Sequence, residues 1–348
     1  MRAVLGLLWV VACEAAPVML GYGSIDGILY KTPDILTGAV SKVTTNISPY
    51  SAYVSTDPAG TYIMIADKYN GLSLLTLSTG TITTMISGVQ LQTVCVSPDA
   101  SFALVYDYSR VLSIVNIATW QMTAITGSTG VYDAPKDGVG TAATIPLLSD
   151  LMISPDGTFA IFISQSNANV RKYTFATQTF STIPGTFTSP QGVDIYQDGS
   201  YALVSNYGSG GTGIIQKIMI GSGTVSTVVT GLSRNTVLRF YPDYTKAYVN
   251  YYNPSNAGQN LIVITIPSFQ VSYINVGGGV LGYPILYFSM TFYNPSVPCV
   301  NGSTYSATGK SPCTACSTSI CSLGYYASVA CTTTTNAACS SCTSGEHL

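Results

Sequence analysis

The chain has 348 residues, of which 47% are hydrophobic and only 8% charged, for a net charge of −2. An ordinary soluble domain carries about 25% charged residues, so solubility here must come from hydroxyls and amides, from attached sugar, or from burial in an assembly. The size admits one large core or a domain plus a module, the aromatic and β-branched content excludes a disordered chain, and the lack of a basic cluster excludes a nucleic-acid footprint.

The first residues, MRAVLGLLWVVACEAAP, place Arg2 before an apolar run from Ala3 to Ala12, followed by the small residues Ala15 and Ala16. That three-part pattern predicts a secretory signal peptide over residues 1–16. The run is too short to cross a bilayer, and no later segment is long enough to do so. The expected product is therefore exported, either free or at the cell surface. Two N-glycosylation sequons fit export, Asn46-Ile47-Ser48 and Asn301-Gly302-Ser303. Asn301 is the better acceptor, because Pro49 follows the first.

From residue 54 onward one hairpin recurs. VSTDPAGTYIMIA (54–66), VCVSPDASFALVY (94–106), ISPDGTFAIFIS (153–164), VDIYQDGSYALVS (193–205) and LRFYPDYTKAYVN (238–250) each join two strands through a turn of Pro, Asp, Gly or their substitutes. Pro presets the first corner, Asp bonds nearby backbone, and Gly accepts positive φ. Aligned positions Pro58, Pro98, Pro155, Gln197 and Pro242 are 40, 57, 42 and 45 residues apart. The long interval holds the Gly-rich insertion STGVYDAPKDGVGTA, which predicts an unpatterned loop. After each hairpin come two more short strands, as in GLSLLTLSTGTITTMIS (71–87). A sandwich or an up-and-down barrel also supplies many short strands, but neither predicts a four-strand unit recurring five times. The pattern predicts an all-β propeller.

The chain ends supply a further unit. Residues 18–45 align as three strands without a first one, and PILYFSMTFY (284–293) is a strand with no unit of its own. Pairing residues 285–291 with the N-terminal strands gives six blades and removes an exposed edge. The strand–SPDG–strand pattern and its approach, KDGVGTAATIPLLSDLMISPDGTFA (136–160), resemble NHL-repeat β-propellers and the related YVTN-type propellers over about residues 18–293. The Asn-His-Leu tripeptide itself is replaced by stretches such as KYNGL and SNANV. The resemblance implies a structural role for Asp67 and Asp107, which occupy one repeat position and would bind backbone in the adjoining loop.

Of nine cysteines, Cys13 lies in the signal peptide, Cys95 in an apolar strand, and seven between 299 and 342, spaced C-x13-C-x2-C-x4-C-x9-C-x7-C-x2-C. So short and Cys-rich a stretch cannot build a hydrophobic core and needs cross-links. The CxxC pairs 313/316 and 339/342 also suit a four-thiolate zinc site, although export favours disulfides. GSTYSATGKSPCTAC and CSLGYYASVACTTTTNAACSSC resemble the Cys-rich repeats of tumour-necrosis-factor-receptor and ephrin-receptor-like type. That resemblance implies pairs Cys299–Cys313, Cys316–Cys331 and Cys321–Cys339, leaving Cys342 for a following module or an intermolecular bond. The expected organisation is a signal peptide (1–16), a propeller (17–297) and a Cys-rich module (298–348) that continues beyond the sequence.

Groups able to do chemistry are scarce. The only histidine is His347 and the only glutamates are Glu14 and Glu346, so thirteen aspartates would have to serve any acid–base or metal site. Asp99, Asp156, Asp198 and Asp243 belong to turns. Asp133 and Asp137 lie in the insertion (128–146), which could hold calcium, though its spacing matches no known acidic loop. Asp150 and Asp194 sit on innermost strands and read as hydrogen-bonded fillers unless two converge. Serines abound, but a serine nucleophile needs a base. No enzyme and no cofactor is expected.

Two binding classes remain. Low charge and 25 tyrosines suit a structural subunit, stacked with itself or other extracellular proteins into a wall, matrix or filament. Tyr-rich stretches such as YVNYYNPSNAGQN (248–260) equally suit a receptor or adhesin face for protein or sugar. Tyr207, Tyr248, Tyr251 and Tyr252 are the candidate contact residues.

Overall fold

The computed structural model describes residues 18–23, 28–34, 39–44, 52–127, 134–207, 212–232, 234–252, 259–276 and 288–293, with four short tail segments (304–305, 314–315, 325–329 and 338–341). The recurrent turn forms as its chemistry requires. Asp99, Asp156, Asp198 and Asp243 each accept from the backbone N–H two residues on, at 3.0, 3.0, 2.8 and 2.8 Å. The next residue is left-handed each time: Ala100 (φ 56°), Gly157 (70°), Gly199 (69°) and Tyr244 (57°). In the first hairpin Asp57 replaces the leading serine and accepts from Thr61 N–H and Tyr62 N–H, at 2.7 and 2.8 Å.

Strands β1 (Val18–Gly23), β2 (Ile28–Asp34) and β3 (Ala39–Thr44) open the chain as an antiparallel meander. The next sheet holds β4 (Ala52–Thr56), β5 (Tyr62–Asp67), β6 (Gly71–Thr76) and β7 (Thr81–Ile86) in that order. It is followed by β8 (Leu91–Val96), β9 (Phe102–Asp107), β10 (Leu112–Asn116) and β11 (Met122–Ala124). The two-residue β12 (Gly138–Val139) then precedes β13 (Asp150–Ile153), β14 (Phe159–Ser164), β15 (Asn169–Thr174) and β16 (Thr179–Ile183), and β12 joins their sheet beside β16. Two more four-strand sheets comprise β17 (Pro190–Ile195), β18 (Tyr201–Asn206), β19 (Gly213–Met219) and β20 (Val225–Leu232), then β21 (Arg234–Phe240), β22 (Lys246–Tyr252), β23 (Gln259–Thr265) and β24 (Val271–Val276). Five blades therefore come from consecutive strands, where six blades were expected. A further sheet joins the two ends: β25 (Phe288–Tyr293) runs antiparallel to β1, with Leu20 opposite Thr291.

The blades pack face to face, so their second strands are buried on both sides. Every residue of β14 and β18 is buried, which is why they read as continuous apolar runs rather than alternating ones. The core lies between neighbours. Leu104 and Tyr106 of β9 meet Phe162, Tyr173 and Phe180, and Ile161 and Ile163 of β14 meet Val204 and Ile218. At one edge of each sheet the first strand touches its counterpart: β4 meets β8, β8 meets β13, β13 meets β17, β17 meets β21, β21 meets β25, and β25 returns to β4.

The insertion departs from the unpatterned loop expected of it. Through β12 it covers the outer edge of its blade, pairing Gly138 with Phe180 and Val139 with Thr179. Arg171, almost wholly buried, holds the strap: it donates to the carbonyls of Thr144 at 2.6 Å and Lys136 at 2.8 Å, and pairs with Asp137 at 2.7 Å. The Tyr106 hydroxyl adds a bond to the Ile145 carbonyl at 3.1 Å. A two-residue Gly-Val strand has no periodicity to be read from sequence.

Residues Pro17–Tyr293 form one compact unit. The tail contributes two small antiparallel ladders, β26 (Thr304–Tyr305) with β27 (Thr314–Ala315), and β28 (Tyr325–Val329) with β29 (Ala338–Ser341).

Candidate functional site

The residue three places before each turn proline, or its equivalent Gln197, is Ser55, Cys95, Met152, Asp194 and Arg239. All five line one cavity of about 370 Å³ bounded by the inner strands of five blades. Pro58, Pro98, Pro155 and Pro242 of the turns form part of its wall, with Tyr241 and Tyr244 beside them. A polar or charged residue at this inward position meets its counterparts from the other blades.

Two of these side chains bolt one blade to the next. Ser55 Oγ accepts from Val96 N–H at 3.0 Å, and Asp194 Oδ2 accepts from Phe240 N–H at 2.7 Å. Asp194 also accepts from Ile195 N–H at 2.7 Å. Arg239 binds Asp150 in bidentate fashion, Nη1 to Oδ2 at 2.7 Å and Nη2 to Oδ1 at 2.9 Å, and its Nη1 donates to the Val193 and Leu238 carbonyls as well. Asp150 further accepts from Val193 N–H at 3.0 Å and Leu151 N–H at 2.9 Å. Asp150 thus pairs directly with Arg239, and Asp194 lies within electrostatic reach of the same guanidinium.

Burial dominates the electrostatics. It pushes the Asp194 carboxyl up to about 6, with Arg239 and two backbone donors holding it down from going further. Burial likewise raises the Cys95 thiol to about 12, so the cysteine sits there as a neutral, unbridged side chain. For Arg239 burial works against the charge, but the Asp150 carboxylate outweighs it and the guanidinium is held above its ordinary value.

The other anticipated residues fall as follows. Asp67 accepts from Tyr69 N–H and Asn70 N–H, and Asp107 from Val111 N–H, so both brace the next turn. Asp137 is occupied by Arg171 and by Thr182 N–H at 2.9 Å. Asp133 lies outside the described residues. Among the described residues no group of three or more His, Cys, Asp and Glu converges as a metal site. Tyr248, expected at a contact surface, is instead 3% exposed and packs with Val237, Leu261 and Val263. It continues the hairpin strand β22 rather than opening a loop, so it offers no ring to a partner. Tyr251 and Tyr252 end the same strand, their side chains outside the described residues. Tyr207 is half-buried, its N–H donating to the Ser189 carbonyl at 3.0 Å. Asn46, Asn301, Cys299, Cys313, Cys316, Cys321, Cys331 and Cys342 lie outside the described residues, and for Cys339 only the backbone is described. Arg239 was not singled out from sequence, although the repeat alignment places it at the same position as Asp194.

No family model matches the chain, and no curated protein matches it either. Solved structures do. A chain of a nidogen/laminin complex aligns with a TM-score of 0.60 at 9% identity, over 79% of this chain and 98% of that one. TolB from Acinetobacter baumannii aligns at 0.58 with 14% identity, over 80% and 66%. A putative TolB from Agrobacterium tumefaciens aligns at 0.53 with 11% identity, over 74% and 88%. Likeness at such low identity speaks to fold alone, and with the strand order above it identifies the chain as an all-β propeller.

Proposed function

We propose that this is an exported, non-enzymatic propeller of the NHL type that serves as a subunit of an extracellular or cell-surface assembly, associating through its rim. The end-joined sheet of β25 with β1–β3 counts as a sixth blade in this reading, since β25 links β21 to β4 in the ring of inner strands. The Cys-rich tail is a disulfide-linked module of receptor type, and Asn301 and Asn46 carry sugar.

One observation carries the reading. Four outer strands, β7 (TITTMI), β11 (MTA), β20 (VSTVVTGL) and β24 (VSYINV), contain no charged residue, whereas β3 (AVSKVT) at the end of the end-joined sheet carries Lys42. Each lies at the end of its sheet, paired on one side only among the described residues. Soluble monomers guard such edges with lysine, proline or a covering strand. Here only the blade with β12 has a covering strand among the described residues. Tyr273, 58% exposed on β24, adds an aromatic side chain to the rim. Uncharged edges suit contact with further copies of the chain, which meet no like-charge repulsion there.

One of the aligned chains comes from a nidogen/laminin complex, which supports a second reading as a receptor or adhesin ectodomain. Electron microscopy of native material separates the two. Ordered arrays or filaments are expected, whereas isolated particles at high concentration favour the receptor reading.

A further inference from the structure

The cavity walls are about equally polar and apolar, and their charge is unbalanced. Val54, Val94, Val96, Ile153, Ile195 and Phe240 supply carbon surface from all five blades that line it. Of the titratable groups facing Asp194, Arg239 from β21 is positive, Asp150 from β13 is negative, and the Cys95 thiol from β8 and the Tyr244 hydroxyl from the turn after β21 are neutral. Blade strand β4 contributes the uncharged Val54, Ser55 and Thr56. Arg239 is committed to Asp150 through both terminal nitrogens. Once Asp194 is ionised, the two carboxylates outnumber Arg239 by one, so among the described residues the set carries one net negative charge. A buried carboxylate without a full counter-charge is costly even with its two backbone donors, and the space beside it is of ligand size.

A second observation points to the same place. Tyr244 is left-handed (φ 57°) at the turn position that three other repeats give to glycine: Gly60, Gly157 and Gly199. A side chain is disfavoured in that conformation. Its ring packs with Phe240 at 5.5 Å and Tyr196 at 5.6 Å, and it lines the cavity. Aromatic faces attract cations.

We propose that this cavity binds a small primary alkylammonium ion, its ammonium paired with Asp194 and its alkyl stem against the valine, isoleucine and proline wall. The site is independent of rim association: a monomer would bind as well as an assembled subunit.

Calorimetric titration of the signal-cleaved protein with n-hexylammonium at pH 7 should give saturable binding at one site per chain. Hexanol should bind at least about tenfold more weakly, because it leaves the charge unmatched, and hexanoate should not bind. Lowering the pH from 7 to 5 should weaken the amine about tenfold, as the carboxyl takes up its proton near pH 6. Asp194→Asn should abolish binding. Since that change also loosens a bolt between blades, the pH dependence of the unaltered protein is the test that does not rely on a variant. Equal affinity for hexanol, preference for hexanoate, calcium binding in place of the amine, or no saturable heat would each overturn the proposal.

Discussion

Replacing Arg239 by methionine should expose how much the propeller depends on the charge set at its inner strands. The substitution keeps a long apolar stem but removes the only cation facing Asp150 and Asp194 among the described residues, and its bonds to both Asp150 oxygens. Breaking one partner out of a buried pair typically costs about 3–5 kcal/mol. At about 2 °C per kcal/mol for a domain of this size, the melting temperature should fall by roughly 6–10 °C. The effect should depend on pH with a defined sign. The folded Asp194 pKa of about 6 lies above the unfolded value of about 4. The native state therefore holds a proton between pH 4 and 6 that the unfolded state has released, and stability falls as pH rises through that window. For two units the change is about 3 kcal/mol. Without Arg239 the carboxyl loses the attraction that holds its pKa down, so the variant should suffer more at pH 8 than at pH 5. Calorimetric melts of both proteins at pH 5, 6.5 and 8 measure this. A variant melting within a degree of the parent at pH 8, or equally destabilised at pH 5 and 8, would refute the reasoning.

Gly71→Ala should lower stability by about 2–4 kcal/mol in denaturant titration, because a Cβ there would clash with the Ile86 carbonyl oxygen and the backbone is left-handed at φ 79°. Arg171→Met should release the strap over residues 136–146, seen as faster amide exchange at Lys136 and Thr144 with the other blades still protected, since their carbonyls and Asp137 lose their donor. Unchanged exchange there would show that β12 alone holds the strap.

Much of the fold was legible because turn chemistry is local. The bonds made by Asp99, Asp156, Asp198 and Asp243 each join residues two apart, so five hairpins could be aligned without any tertiary information. The strap was not legible, since its strand is two residues long and its anchor, Arg171, lies 34 positions from Asp137. Tyr248 misled because YVNYY resembles a polar loop; in the fold both faces of β22 meet neighbouring strands and the ring is enclosed. The cavity was half legible. Asp150 and Asp194 were placed on innermost strands, but Arg239 is 89 residues from Asp150, and only the blade arrangement brings them together. Reading down the third position before each turn, where Cys95, Met152, Asp194 and Arg239 fall, was the available signal.

Sedimentation velocity over a hundredfold range of concentration tests the central claim, that uncharged rim strands make this propeller an assembly subunit. The parent protein should associate with rising concentration, and a Thr83→Lys, Thr227→Lys variant should stay monomeric, because both threonines are exposed on the outer strands β7 and β20. A parent that remains monomeric throughout, or a lysine variant that associates just as strongly, would contradict it.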